Sequence, residues 1–292
     1  MGISQYDSNP TAPIPEGQEF MPDQTYLMEN DEEILRLKIK TDEKTVIQQA
    51  TWAGIREGMR IADIGCGAGI TTSFLHKLAG SQGETVGIDM SMERIEYAKQ
   101  HYSAPKIKFV QRDITHPLSD LGLFDFIWVR FFLEYHRTKS FDIVKSLTDI
   151  LKPGGILCLI DLDYNCLNHF GLSDRLKQSM LGIMSRLEKH ANFDPYAGIK
   201  LYSFLYDLNY KDIEVSLAPH HLIYGELTQV DAFNWIKKIE IAGKNSGYKF
   251  EDYEGGYEEF FQEFKDFFSD PRRFTYTPII SCRGIKRSGT ST

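Results

Sequence analysis

Short, mainly apolar runs alternate with amphipathic segments between Met59 and Asp163. A short apolar run that ends at glycine or a polar residue predicts a strand buried on both faces, and apolar residues repeating with the helical period predict the helices between them. The predicted strands are MRIADIG, ETVGIDM, KIKFVQRDI, FDFIWVRF and ILCLIDLD, and the predicted helices are ITTSFLHKLAG, SMERIEYAKQHY and SFDIVKSLTDIL. This alternation predicts an α/β fold in which helices cover both faces of a doubly wound, mostly parallel sheet.

The pattern changes after Asp163, where helical segments become more frequent. Helices are predicted for residues 172–191, 199–210, 229–244 and 257–268, a strand for DIEVSLAPHHLIYG, and an antiparallel last strand for RRFTYTPIISCRGIKR. We expect these helices to form a cap that is inserted into the sheet domain at about residues 164–210 and 225–270.

A single domain is expected over residues 25–286, because no internal repeat and no clean linker divides this part of the chain. The polar, proline-containing residues 1–24 are predicted to form a flexible segment, and residues 287–292 a loose tail. Helical spacing within residues 29–55 predicts a further helix before the first strand.

The charge balance narrows the classes of partner. The chain has 292 residues with 33 Lys and Arg against 41 Asp and Glu, which gives a net charge of −8. Nucleic-acid-binding surfaces need clustered Lys and Arg, and the sequence contains no such cluster. No apolar run approaches the roughly 18 residues that a membrane span needs. We therefore expect neither a nucleic acid nor a membrane as a partner.

The four cysteines show no metal-ligand spacing. Cysteines without such spacing or a secretory context are typical of reduced thiols. We expect no metal site and a cytoplasmic location.

The segment RIADIGCGAGITTSFL carries Gly65, Gly67 and Gly69 directly after the first predicted strand. A glycine-rich turn between a strand and a helix lets the backbone approach a ligand at the helix N-terminus. The dinucleotide fingerprint needs a small residue where Ile70 stands, and the Gly-Lys-Ser/Thr of a P-loop is absent. The pattern DIGCGAG, with Asp63 before the first glycine, instead resembles the first motif of class I S-adenosylmethionine (SAM)-dependent methyltransferases.

Further segments support this resemblance in order along the chain. Asp89 in VGIDMS ends the second predicted strand, and Asp113 in QRDI ends the third. FDFIWVR resembles the fourth strand of the family with Arg130 at its end, and LKPGGILCLID resembles the segment that leads into the fifth. The match covers residues 59–163. The chain is similar to small-molecule enzymes of the broad ubiquinone/menaquinone methyltransferase group, whose sheet is Rossmann-like.

The resemblance implies SAM as the cofactor and assigns roles to several residues. Asp89 would accept from both ribose hydroxyls, Asp113 from the adenine amino group, and the backbone amide of Ile114 would face the ring. Arg130 falls at the methionine end, and Asp63 is expected to hold an amide or the methionine ammonium. The expected cofactor-binding residues are Tyr26, Asp63, Gly65, Cys66, Gly67, Gly69, Asp89, Met90, Asp113, Ile114 and Arg130.

The segment TYLMENDEEILRL loosely resembles the one before the first strand in the same group. There an aromatic such as Tyr26 closes over the cofactor, and Arg36 lies close by. A core position is equally open to Tyr26.

Other assigned residues also have structural roles open to them. The three glycines suit a tight turn, Asp89 can cap the helix that follows it, and Asp113 can be a surface turn acid. Arg130 has an alternative partner in Glu134, one helical turn further on.

The expected function is methyl transfer from SAM to an O, N or C atom of a small molecule. Such a displacement depends on alignment, and some acceptors also need a base. The catalytic residue is left open among Asp161, Asp163, Tyr164, His220, His221 and Tyr224, since ligands bind beyond the carboxyl ends of parallel strands.

The Tyr and Phe content of the two predicted insertions favours an apolar or aromatic acceptor, although the same side chains would suit a homodimer contact. Two other functions stay open: an NAD-type oxidoreductase, and a non-catalytic SAM-binding module.

Overall fold

The structure is a computed structural model that describes residues 42–288. Of the helix predicted within residues 29–55, it describes α1 (Glu43–Ala53). The predicted flexible segment 1–24 and most of the predicted tail lie outside the described residues.

A mixed sheet of eight strands forms the centre of the described part of the chain. The strands are β1 (Arg60–Ile64), β2 (Glu84–Asp89), β3 (Ile107–Gln111), β4 (Phe124–Arg130), β5 (Leu151–Leu162), β6 (His169–Phe170), β7 (Lys211–Tyr224) and β8 (Phe274–Ile285). They run in the order β3-β2-β1-β4-β5-β8, and β6 and β7 both pair with β8. β1 to β5 are parallel and β8 is antiparallel to β5, which confirms the predicted fold class.

Seven helices follow α1, and several begin at a side chain that accepts a backbone N–H. They are α2 (Ile70–Ala79), α3 (Met92–Tyr102), α4 (Ser140–Asp149), α5 (Asp174–His190), α6 (Ala197–Asp207), α7 (Gln229–Asn245) and α8 (Gly256–Ser269). The N-caps with such a side chain are Asp42 of α1, Ser91 of α3, Ser173 of α5 and Thr228 of α7. These acceptors satisfy N–H groups that have no partner inside the helix, and they fix where each helix starts.

The strands bury both of their faces, because alternate side chains enter two different cores. On one face, Ile61, Phe126 and Trp128 pack against α1 and α2. On the other face, Ala62 and Ile127 pack against α4 and α6. This two-sided burial explains why the strand sequences are apolar almost throughout.

A further core, the cap core, lies among the three helices α5, α7 and α8. The aromatic side chains Phe260, Phe264 and Phe268 form one face of α8, and each is fully buried there. Trp235 of α7 packs on Phe268 at 5.4 Å between ring centroids. The aromatic stripe of α8 is therefore a packing face.

Helix α6 lies inside the first predicted insertion but packs on the sheet. Its buried Leu201 and Leu205 belong to the core that contains α4, and their neighbours include Cys282 of β8. Apolar periodicity shows which face of a helix is buried but not which core receives it, so the sequence did not separate α6 from the cap helices.

Two local features differ from the predicted elements. β5 begins at Leu151, which pairs with Phe124, and the ladder resumes only at Phe126 and Ile156. The KPGG segment therefore bulges within the strand rather than preceding it. β6 has two residues, too few to show any period in the sequence.

We expect Phe264→Ala to lower the free energy of unfolding by about 3–5 kcal/mol, since it removes a fully buried ring from the cap core. Phe233→Ala is the matched control, because this ring on α7 is 47% exposed and its loss should change stability by no more than about 0.5 kcal/mol. Urea unfolding of both variants measures the difference. If Phe264→Ala lowered the free energy of unfolding no more than Phe233→Ala does, the helical core would not contribute to the cooperative unfolding unit.

Candidate active site

The carboxyl ends of β1 and β4 lie side by side at the point where the strand order reverses. From β1 the chain builds outward to β2 and β3, then returns to place β4 on the opposite side of β1. In open α/β sheets such a switch point leaves a crevice beyond the strand ends, where ligands bind. Gly65 follows β1 and Arg130 ends β4, so both lie at this crevice.

The glycine turn is required by the protein's own packing. Gly65 and Gly69 have φ of +69° and +85°, which L side chains rarely adopt. A Cβ on Gly65 would lie 2.4 Å from the ring of Phe132, and one on Gly69 would lie 2.7 Å from Cβ of Ala98. Helix α2 starts directly after Gly69, so its free N–H groups face the crevice.

Asp89 ties the glycine turn to the end of β2. Its Oδ2 accepts from the Gly67 amide at 2.8 Å and its Oδ1 from the Ser91 amide at 2.9 Å. A carboxylate offers about four lone-pair sites, so each oxygen can accept one further hydrogen bond. The capping role considered for Asp89 from the sequence belongs instead to Ser91, and the Asp89 carboxylate has room for two ligand hydroxyls. The neighbouring Met90 is 44% exposed.

Asp63 is buried beneath the turn, where Oδ2 accepts from the Thr72 hydroxyl at 2.6 Å. Burial raises the pKa of Asp63 to about 7, against the opposing effects of Thr72 and the Arg130 cation. Cys66 is also buried, and burial followed by the charges of Asp63 and Asp89 raises the pKa of its thiol. Both side chains therefore support the turn from inside.

Asp113 is held in a turn after β3. Its Oδ1 accepts from the amide and hydroxyl of Thr115, and its Oδ2 lies 3.0 Å from Nδ1 of His116. Burial raises the pKa of Asp113, but these bonds outweigh it and leave the pKa below its usual value. Ile114 is buried beside it. The turn role is thus present, and Oδ2 has capacity for one more donor.

Arg130 turns toward α1, since its Nε donates to Oε1 of Gln49 at 3.2 Å rather than to Glu134. Its guanidinium also lies 4.0 Å from the ring centroid of Phe131. Burial lowers the pKa of Arg130 to about 10, against the attraction of Asp63, Asp161 and Asp42, so the side chain is a cation at neutral pH.

A cavity of about 600 Å³ opens from Arg130 between α1, β7 and α7. Its lining includes hydrogen-bonding side chains from all three elements: Gln49, Ser216, His220, His221, Asp231 and Asn234. Trp52 and Ile279 supply apolar surface. Among the expected cofactor residues within 42–288, Arg130 alone lines this cavity, so the cavity extends away from the glycine turn.

Two bulky residues that follow strands at this edge hold left-handed backbone. Phe131 follows β4 with φ of 54°, and Tyr164 lies two residues beyond β5 with φ of 47°. Such conformations cost free energy for side chains of this size, and they cluster at functional sites.

The comparisons with known proteins agree with this geometry. A model of the methyltransferase domain family matches residues 61–155, from β1 to β5. Over 108 residues the chain is 34% identical to a demethylmenaquinone methyltransferase from Staphylococcus aureus. This match covers 36% of the chain and 44% of the relative, so the chain spans less than half the length of that relative.

Residues 61–155 are therefore similar to the methyltransferase domain family.

Solved structures share the fold of this chain, including parts of it beyond residues 61–155. A putative methyltransferase from Bacillus halodurans superposes with a TM-score of 0.54 at 12% identity, covering 84% of this chain and all of that one. Phosphoethanolamine N-methyltransferase 2 from Haemonchus contortus, solved with SAM, superposes with a TM-score of 0.53 at 15% identity, covering 89% of this chain and 58% of that one.

The residues considered as candidate bases lie in different surroundings. His220 and His221 line the Arg130 cavity. Asp161 is sealed, accepting from the amides of Glu134 and Leu162, and burial followed by Glu134 raises its pKa. Tyr224 is 64% exposed.

Asp163 and Tyr164 follow β5 on the α6 side. Asp163 is buried, Oδ1 has no partner in the described part of the chain, and burial raises the pKa of this carboxyl. Tyr164 borders a second cavity of about 410 Å³ with Tyr196 and Tyr276.

Two of the residues named from the sequence, Tyr26 and Arg36, lie outside the described residues. Sequence reasoning missed Gln49, Thr72, Phe132 and Asn234, which hold or surround the expected residues. No motif marks them, because each contributes through a tertiary contact. Among residues 42–288 there is no group of three or more His, Cys, Asp or Glu that could hold a metal ion.

Asp63 should make stability depend on pH. The pKa of Asp63 is about 7 in the folded protein, against an ordinary value of about 3.8. The stabilisation from Asp63 is therefore complete below about pH 4 and is lost as the pH rises to about 7. Relative to Asp63→Asn, the ligand-free wild type should lose up to about 1.4 kcal/mol per pH unit across this window.

Chemical denaturation from pH 4 to pH 8 measures this difference. Thr72→Val removes the hydroxyl that donates to Asp63. It should raise the pKa of Asp63 in the folded protein and so extend the pH range of the loss upward. A constant difference between wild type and Asp63→Asn over the whole range would contradict the raised pKa.

Proposed function

We propose that this protein transfers a methyl group from SAM to a small-molecule acceptor. The observation that carries the proposal is the switch-point crevice, where the glycine turn and Asp89 lie beside a separate cavity that opens from Arg130. One ligand can thus occupy the turn while a second approaches it from the cavity, as a two-substrate transfer requires.

The residues present fit SAM. Asp89 has one open acceptor site on each oxygen, which suits the two ribose hydroxyls, and Asp113 has one open site on Oδ2 for the adenine amino group. The amide of Ile114 and the exposed Met90 would border the adenine and ribose, and Arg130 the methionine end. The cofactor supplies an electrophilic methyl group on a sulfonium.

The protein's share of the reaction is alignment and exclusion of water. Burial of Asp63 and Cys66 and the close contact of Phe132 with Gly65 fix the turn, so the bound cofactor would hold one orientation. For an acceptor that must lose a proton, His220 and His221 are the candidate bases that face the cavity, whereas sealed Asp161 would act structurally.

The acceptor we propose has an apolar or aromatic body. Trp52, Ile279 and the two imidazoles offer it flat or apolar surface in the Arg130 cavity. Most Phe side chains of the insertions pack in the cap core, so they do not offer the acceptor a surface.

We also propose a cellular location and a homodimer contact. All four cysteines are buried and none forms a disulfide within residues 42–288, which supports a cytoplasmic location. Exposed Tyr202, Tyr206 and Leu217 offer apolar surface for a homodimer. In the described part of the chain, no helix has both the length and the apolar character to cross a membrane. No nucleic-acid partner is proposed.

An NAD-type oxidoreductase is the weaker alternative. Its fingerprint would need a small residue at Ile70, and this side chain is 8% exposed in the first turn of α2. A non-catalytic SAM-binding module would keep the same turn, so only turnover separates it from the enzyme.

Titration calorimetry with SAM, S-adenosylhomocysteine and NAD tests the proposal. We expect SAM and S-adenosylhomocysteine to bind and NAD not to. Asp89→Asn should weaken S-adenosylhomocysteine binding by about 1.5–3 kcal/mol, because hydrogen bonds to a charged acceptor are lost.

Glu84→Gln is the matched control, since this acid lies at the opposite end of β2, where it pairs with Arg60 and Lys108. Its affinity should equal that of the wild type. NAD binding, or an unchanged affinity in Asp89→Asn, would remove the turn from the proposed role.

A further inference from the structure

Arg130 is a cation without an anionic partner in the described part of the chain. Its hydrogen bond to Gln49 uses Nε, and neither Nη nitrogen has a hydrogen-bond partner among residues 42–288. Its other close neighbour is the ring of Phe131. A guanidinium carries five N–H donors in a planar fork, so most of its bonding capacity is open.

The nearby carboxylates do not fill this role. Asp63 is bonded by Thr72, and Asp161 accepts two backbone amides. The acids that line the cavity are bonded at helix starts, Asp42 to Thr45 and Asp231 to Thr228. Burying a cation without a bonded counter-charge costs free energy. A ligand carboxylate would supply the opposite charge and accept hydrogen bonds from the guanidinium.

The rest of the cavity also offers polar groups to a ligand. Oδ1 of Asn234 is buried and has no partner in the described part of the chain. Because an amide presents either its oxygen or its NH₂ group, Asn234 can match a donor or an acceptor. His221 is fixed by its contact with the Thr277 hydroxyl at 3.3 Å.

We propose that Arg130 binds a carboxylate where the cofactor crevice meets the cavity between α1, β7 and α7. The inference rests on the proposed function, because that function places two small molecules at this junction. It deepens the function by giving the acceptor a chemical class: an apolar or aromatic body that carries an acidic group. The methionine end of the cofactor also carries a carboxylate. If Arg130 binds that group, it has only the cofactor role already expected of it, and the inference about the acceptor is overturned.

The first arm of the test separates these sources on the cofactor side. Calorimetry compares S-adenosylhomocysteine with 5′-methylthioadenosine, which lacks the amino-acid part. Arg130→Gln removes the charge, Arg130→Lys keeps the charge without the fork, and Arg56→Gln removes an exposed charge from the connection between α1 and β1. If the cofactor supplies the carboxylate, Arg130→Gln weakens S-adenosylhomocysteine about tenfold or more and leaves methylthioadenosine unchanged.

The second arm examines the acceptor side with protein saturated by S-adenosylhomocysteine. The probes are two acid and amide pairs, 4-hydroxybenzoate with 4-hydroxybenzamide and indole-3-acetate with indole-3-acetamide, followed by ligand-detected NMR. If the acceptor supplies the carboxylate, wild type and Arg56→Gln prefer the acid of at least one pair about tenfold. Arg130→Gln loses this preference, and Arg130→Lys retains part of it.

Other outcomes overturn the inference. Unchanged binding in both arms, including no acid preference in the wild type, would show that Arg130 holds no carboxylate. Equal weakening of S-adenosylhomocysteine and methylthioadenosine would show that Arg130 only positions the fold, and thermal unfolding of each variant checks that effect. If the wild type binds no S-adenosylhomocysteine, the proposed function fails, and the acid and amide pairs tested alone still judge Arg130.

Discussion

Parallel pairing of β1 with β4 is the constraint on which the rest of the site depends. Asp63 pairs with Trp128 and Ile64 with Val129, so the residues that follow both strands reach the same edge of the sheet. A shift of one residue would exchange the two faces of a strand and place Asp63 in the opposite core. The uniform burial of β1 and β4 makes such a shift costly, and it therefore fixes the distance between the glycine turn and Arg130.

The polar groups at this edge depend on the same packing. Asp63 and Arg130 occupy the α1 side of the sheet, whereas Asp161 occupies the α4 and α6 side. Each is bonded by a neighbour from another element: Thr72 of α2, Gln49 of α1 and the amide of Glu134. Buried polar groups require such partners, so the helices that cover the sheet also orient the chemistry.

The helical additions after β5 and β7 serve two purposes. α5, α7 and α8 bury an aromatic core of their own, which stabilises the cap. At the same time the N-terminal part of α7 and residues 216–221 of β7 form the far wall of the Arg130 cavity. The cavity therefore belongs jointly to the sheet domain and to the additions, and differences in the additions would change the lining of the cavity without changing the crevice at the glycine turn.

The sequence by itself determined the α/β class, the parallel strands from β1 to β5, the glycine turn and the aromatic stripe of α8. These follow from local patterns, since strand period, helix period and glycine spacing are visible along a short stretch of chain. Only the tertiary structure decided that α6 joins the sheet core, that Phe132 requires Gly65 to lack a side chain, and that Arg130 contacts Gln49 rather than Glu134. In each case either the two partners lie far apart along the chain, or another residue with the same helical spacing competes for the same contact. Only packing in three dimensions therefore decides which contact forms.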